Sequence, residues 1–155
     1  MAIYTAVFNA VAVTAQQDLF ELNVASDALV IVHCVELSQS TEVGDAQEEG
    51  LNLLFKRGAT TSGSGGTTVT PVALEGGAVA YGGTVEANNT TKATTGTIST
   101  LRVDNWNVRA PYLWLPPPEL RIPLSPSSRF TVELATTPAD SITMSGCLWF
   151  EEIGG

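Results

Sequence analysis

Ile-Thr-Met-Ser-Gly-Cys-Leu-Trp-Phe-Glu, residues 142–151, alternates in character with a period of two. Ile142, Met144, Gly146, Leu148 and Phe150 fall on one side; Thr143, Ser145, Cys147, Trp149 and Glu151 fall on the other. Successive side chains of an extended chain point to opposite faces, so the pattern predicts a strand with one face in a core. Residues 129–134 repeat it, with Phe130, Val132 and Leu134 opposed to Arg129, Thr131 and Glu133, as in a half-exposed strand. Thr137-Pro138-Ala139-Asp140 supplies the turn between the two.

Working outward, further strand-sized segments lie near 3–14, 19–24, 28–37, 51–56, 71–74, 79–86 and 101–108. The segment at 28–37 is the most apolar: Leu29, Val30, Ile31 and Val32 are hydrophobic on both faces, as in a strand covered on each side. Gly82 and Gly83 predict a kink or bulge within 79–86. The apolar phase slips from Leu101 and Val103 to Trp106 and Val108, which predicts a bulge at Asp104-Asn105. Residues 58–70 and 88–97 are Gly-, Ser- and Thr-rich, have little to pack, and are expected to be flexible loops. The polar linker at 38–50 has room for a short helical turn with Thr41 as its cap, but no apolar stripe for a full helix. Eight to ten short strands with almost no helix predict one all-β domain over 1–155. Uneven spacing and long connections favour a jelly-roll-like β-sandwich over an up-and-down barrel.

Residues 106–124 stand apart, with two of the three tryptophans and five of the eight prolines. Pro116, Pro117 and Pro118 have fixed φ and no backbone donor, so they predict a stiff polyproline-type segment without helix. Leu120, Ile122 and Leu124 then alternate with Glu119, Arg121 and Pro123, as in a half-buried edge strand. A rigid rod with Tyr112 and Trp114 beside it either braces one subunit or fits against another. Tyr112, Trp114, Pro116, Pro117, Pro118 and Trp149 are therefore the candidate residues of a subunit or partner interface. Trp149 matters most, because it lies on the polar side of its strand and is therefore either exposed or covered by a partner, and the partner is the favoured reading.

Composition narrows the function. Sixteen acidic against seven basic residues give a net charge of −9, the opposite of the footprint that nucleic acid or an anionic membrane selects. The first residues have neither the basic nor the apolar region of a signal peptide, and no run approaches the ~18 apolar residues of a membrane span. Cys34 and Cys147, each in an apolar run, read as buried free thiols made in a reducing cytosol, and the Asn-Thr acceptor patterns at 88–91 as accidents of a Thr-rich loop.

No catalytic motif is present. His33 is the single histidine and sits in an apolar strand, which suits a core or interface residue better than a base. The glycines at 63–66 are followed by no Lys-Ser/Thr and open no helix, so they form no phosphate loop. Glu42, Asp45, Glu48 and Glu49 are the one carboxylate cluster; their spacing is not that of a calcium loop and reads as a solvated acidic loop at 42–49. Paired glycosidase carboxylates leave no local signature, and nothing singles out a pair. Trp106, Tyr112, Trp114 and Trp149 offer a sugar-binding face as the alternative to an interface, since jelly rolls include lectins.

A small, acidic, cysteine-poor jelly roll with Ala-Val-Thr-rich first strands, Gly-Ser-Thr loops and a Gly-Gly tail resembles the decoration (cement) proteins of tailed-bacteriophage heads. The resemblance is one of architecture and style over the whole chain, with no shared motif and no residue to carry over. It implies a structural protein without cofactor, a homotrimer, bound to the major capsid protein on the virion surface after synthesis in the host cytoplasm. The alternative it leaves is a lectin-like module of a virion that binds a glycan.

Overall fold

The computed structural model describes residues 1–41 and 48–155. The expected helical turn, and Glu42 and Asp45 of the acidic loop, lie outside the described residues. The strands are β1 (Ala2–Val13), β2 (Gln17–Asn23), β3 (Ala28–Gln39), β4 (Gly50–Arg57), β5 (Thr67–Val69) and β6 (Val72–Ala73). They continue as β7 (Thr84–Asn89), β8 (Ser99–Asn107), β9 (Tyr112–Trp114), β10 (Ile122–Leu124), β11 (Arg129–Leu134) and β12 (Ile142–Gly154). Two antiparallel six-stranded sheets pack face to face as a β-sandwich. Sheet A runs β10-β3-β12-β1-β6, with β9 also on β3, and sheet B runs β5-β7-β2-β11-β4-β8.

Without β5, β6 and β7 the orders reduce to β1-β12-β3-β9/β10 and β2-β11-β4-β8. First beside last beside third, facing second beside eleventh beside fourth, is the double Greek-key order of a jelly roll. The three extra strands widen it: β7 and β5 extend sheet B beyond β2, and β6 extends sheet A beyond β1.

The core lies between the sheets. From sheet A it takes Tyr4, Phe8, Val30, Val32, Leu148 and Phe150; from sheet B, Phe20, Leu22, Leu53, Phe55, Phe130 and Val132. The alternation read in β12 holds over residues 142–152, where buried and half-buried residues take turns. Gly146 is the small member of the inward row. A Cβ there would lie 2.6 Å from Phe8 Cε1, so its absence is what admits the Phe8 ring.

Several expectations are revised. Sheet register runs unbroken past Asp104 and Asn105; the extra residue of β8 is Leu101, between Arg102 opposite Phe55 and Thr100 opposite Lys56. Leu101 and Val103 are exposed, so of the apolar residues of β8 only Trp106 marks its core face. The bulge that preserves core phase is in β1, where Asn9 and Ala10 together oppose Ser145 and Ala10 takes a left-handed φ of 54°. Of 79–86 only Thr84 onward is strand. The preceding residues curl so that Tyr81 enters the core beside Phe150, its hydroxyl donating to the Asn23 carbonyl at 2.7 Å. Pro117 is extended (φ −60°, ψ 159°), but Pro118 opens a single 3-10 turn to Leu120. Proline fits that first position because its missing N–H would have had no partner there. Leu120 consequently points to solvent, and only Ile122 and Leu124 form the buried face of the edge strand.

The two Gly- and Thr-rich loops are not without partners. Thr61 exchanges both backbone hydrogen bonds with Thr94 (2.9 and 3.0 Å), and Ser64 does the same with Thr91. Zipped together, they lie over the outer face of sheet B, so Thr131 and Glu133 of β11, expected to be half-exposed, are buried.

Two substitutions test this packing by urea denaturation. Gly146→Ala is expected to cost about 1–3 kcal/mol by overpacking against Phe8. Ala10→Gly, which relieves a left-handed alanine at an exposed bulge, is expected to gain about 0.5 kcal/mol.

Candidate interaction surface

The outer faces of the two sheets differ. On sheet B, burial is achieved with charge. Glu21 is fully buried, its Oε1 lying 2.7 Å from Arg129 Nε and accepting from Ser62 Oγ at 2.7 Å. Its Oε2 accepts from the Gly63 N–H at 2.9 Å and from Asn89 Nδ2 at 3.0 Å. Glu133 is held by Lys56 at 2.5 Å and Lys92 at 2.9 Å. Asp18 accepts from the Ala93 N–H at 2.7 Å. These bonds fasten the loops at 58–66 and 90–97 to the sheet, so the carboxylates serve the fold.

Burial works to raise the Glu133 pKa, but the Lys56 and Lys92 ammonium groups outweigh it and hold the carboxyl below its ordinary value. Asp18 goes the other way. Burial pushes its carboxyl up to about 7, with Glu133 and Glu21 adding to the rise and the Ala93 N–H and Lys92 opposing it.

Sheet A presents hydrocarbon instead. Strand register places Val72, Thr5, Trp149 and Cys34 in one row across β6, β1, β12 and β3. The next row is Val7, Cys147, Glu36 and Leu113, across β1, β12, β3 and β9. On the other side of the Trp149 row lie Ile3, Glu151 and Ile31, and beyond them Ile153 opposite Leu29. Val72, Leu113, Val7, Leu29, Ile3 and Ile153 are 63, 59, 50, 47, 42 and 37% exposed, so this face is largely apolar, with the exposed Glu36 and the half-buried Glu151 set among them. Isolated surface hydrophobics are ordinary, but a contiguous field of them marks an interaction site.

Trp149 lies within that field and is half-buried by its own neighbours. A β3 bulge puts both His33 and Cys34 on the same face, since Trp149 opposes Cys34 while Phe150 opposes Val32. His33 Nε2 lies 3.0 Å from Glu151 Oε2, each side chain about 15% exposed, so the single histidine is hydrogen-bonded to a carboxylate on this face. Burial, with Glu36 and then Cys147 nearby, pushes the Cys34 thiol up to about 11; burial and Glu36 also raise Cys147. Both are free, neutral thiols that add apolar area. A hollow of about 470 Å³ opens beside them, walled by Val7, Cys147, Leu113, Tyr112 and Glu36.

The expected interface residues are dispersed. Trp149 belongs to the apolar face. Trp114 points the other way, buried against Phe55 with ring centroids 5.1 Å apart. Trp106 is also core, its Nε1 donating to the Ala110 carbonyl at 2.6 Å. Tyr112 is half-buried and donates its hydroxyl to Asp104 Oδ2 at 2.5 Å, joining β9 to β8 at the rim. Pro116, Pro117 and Pro118 form the rim beyond it, with Pro117 and Pro118 exposed and Pro116 half-buried. With both tryptophans in the core, the four aromatics share no sugar-stacking platform. The residues missed are Ile3, Val7, Val72, Leu113 and Ile153; their signal was aliphatic residues at outward positions of β1, β6, β9 and β12, whereas Leu29 was already marked by the two-sided hydrophobicity of its strand.

No protein-family model matches the chain, and no curated protein matches it. Among the described residues no three His, Cys, Asp or Glu side chains are grouped as a metal site, and Glu48 and Glu49 are the described part of the acidic loop.

The buried carboxylates generate a pH signature. Between about pH 4 and 7 folded Asp18 keeps a proton that the unfolded chain has released, so its contribution is complete at low pH and lost as pH rises through 7. Stability is therefore expected to fall by roughly 2 kcal/mol from pH 5 to 8 through this group. Asp18→Asn should remove that slope in urea midpoints measured across the same range.

Proposed function

We propose that this protein is a non-enzymatic decoration protein of a tailed-bacteriophage head, which attaches to the assembled shell and reinforces it as a homotrimer. The observation that carries the reading is the asymmetry between the outer faces: on sheet B its own loops lie over β2, β7 and β11, whereas sheet A offers a broad, largely apolar field with Trp149 inside it. In a trimer that field is the contact between copies. The two-sided hydrophobicity of β3 supports this, because Leu29 and Ile31 lie on the outer face opposite the core residues Val30 and Val32.

The trimer presents three equal surfaces to the major capsid protein, so individually weak contacts combine through effective concentration. A net charge of −9 suits shell patches that are basic. The rim at 115–121, fixed by Pro116, Pro117 and Pro118, loses little conformational entropy on docking.

Light scattering is expected to give three times the 16.3 kDa monomer mass. Trp149→Ala should weaken association by roughly 2 kcal/mol, as truncated interface aromatics do. Val7→Glu, at a half-exposed position, should give folded monomer. A monomer at every micromolar concentration rejects the trimer. Added to heads that lack it, the wild-type protein should bind and raise the temperature at which they rupture. Binding without that rise removes the reinforcing role.

A further inference from the structure

The inward row of β12 ends on a charge. Ile142, Met144, Leu148 and Phe150 face the core, and the next inward residue is Glu152, opposite Ala2 of β1 and Val30 of β3. Glu152 is 6% exposed. Of the three glutamates buried among the described residues, Glu21 has Arg129 and Glu133 has Lys56 and Lys92. Glu152 pairs with no basic group among the described residues, and residues 42–47 contain none.

Its hydrogen bonds do not replace a counter-charge. The Gly82 N–H is divided between Oε1 at 3.2 Å and Oε2 at 3.4 Å. The Tyr4 hydroxyl lies 3.5 Å from Oε2, but it donates to the Val79 carbonyl at 2.8 Å. A carbonyl has no hydrogen to give, so the one hydrogen of Tyr4 lies in that bond and none is left for Glu152. A single backbone N–H thus serves both oxygens, whereas buried charges ordinarily have a partner of opposite sign and a full set of bonds.

Glu152 lines a cavity of about 430 Å³ at this end of the sandwich, bounded by the segment at 75–82. Ala2, Ala78, Val79 and Ala80 give it hydrocarbon walls, and Glu75 is a second carboxylate on it. No Lys, Arg or His lines it, and Met1 at its border is 90% exposed and pairs with neither carboxylate. An under-bonded anion beside hydrocarbon is complementary to a cationic head on an alkyl stem. Two carboxylates fall short of the about six to eight oxygens that calcium takes.

We infer that this cavity binds an organic cation, a primary ammonium or guanidinium group on an alkyl chain, with Glu152 as its counter-ion and Glu75 as a second, exposed carboxylate. The inference is independent of the head-decoration reading, and the cavity shares no residue with the apolar rows of sheet A.

The test titrates n-butylammonium and n-butylguanidinium into the nitrogen-15-labelled full chain and follows the Gly82 amide, whose N–H already lies on Glu152. The expected result is a saturable Gly82 shift with both cations and none with n-butanol. Glu152→Gln, whose amide oxygen still accepts from Gly82, should weaken binding by about tenfold or more. Glu75→Gln, at an exposed position, should weaken it about threefold and serves as the test if Glu152→Gln does not fold. N-acetyl-lysinamide and N-acetyl-argininamide separate the sources: binding equal to that of the free cations assigns the site to a side chain of a partner, and exclusion assigns it to a small amine. Either result upholds the site. No saturable shift with either cation, an equal shift with n-butanol, or full affinity in Glu152→Gln overturns the inference. A Gly82 shift that calcium produces at lower concentration than either cation assigns the site to a metal and also overturns it.

Discussion

Every strand of this sandwich must keep one face in the shared core, and a slip of one residue would turn all its side chains over. The register irregularities are the means by which that constraint is met. In β1, Phe8 and Val11 are three apart, and the Asn9-Ala10 bulge brings them back into phase opposite Gly146 and Met144. In β3 the extra residue at His33 lets Val32 and Val35 both point inward. In β2 Leu19 is the extra residue between Asp18, opposite Glu133, and Phe20, opposite Val132. Had residues 18–22 alternated regularly, with Leu19 opposite a residue of its own, Asp18 would share the face of Phe20 and Leu22 and enter the hydrophobic core.

With the core settled, the two outer faces meet water by different physical means. Sheet B recruits two loops whose composition offers no hydrophobic area, so hydrogen bonds and ion pairs hold them. Such a cover is specific in geometry, because each buried carboxylate needs its own donors and becomes a cost when one is lost. Among the described residues sheet A has no such cover, and its apolar rows are the kind of surface that association removes from water.

The fold was legible where periodicity was long and uninterrupted. Residues 142–150 alternate without a break, so both the strand and the outward position of Trp149 could be read directly. Trp114 could not be placed that way: its strand has three residues between prolines, too few to establish a phase. The phase slip at 101–108 misled because Leu101 and Val103 lie on an exposed edge, where hydrophobicity does not report burial. The same type of slip between Phe8 and Val11 marked a real bulge. The loops at 58–66 and 90–97 gave no local sign of order, since what orders them, Asp18 and Glu21, lies in β2. Two acids in the otherwise apolar 18–22 were the available clue.

The position of β12 has a consequence for the order in which the chain matures. Within sheet A, β1 and β3 are joined only through β12, whereas every strand of sheet B is contained in residues 17–134. During synthesis sheet B can therefore assemble while β1 and β3 wait with bare edges, and sheet A closes only after residues 142–154 have left the ribosome. Contacts this distant in sequence form slowly. For that interval the nascent chain exposes the hydrophobic half of its future core together with unpaired strand edges, the condition in which β proteins aggregate and chaperones engage them.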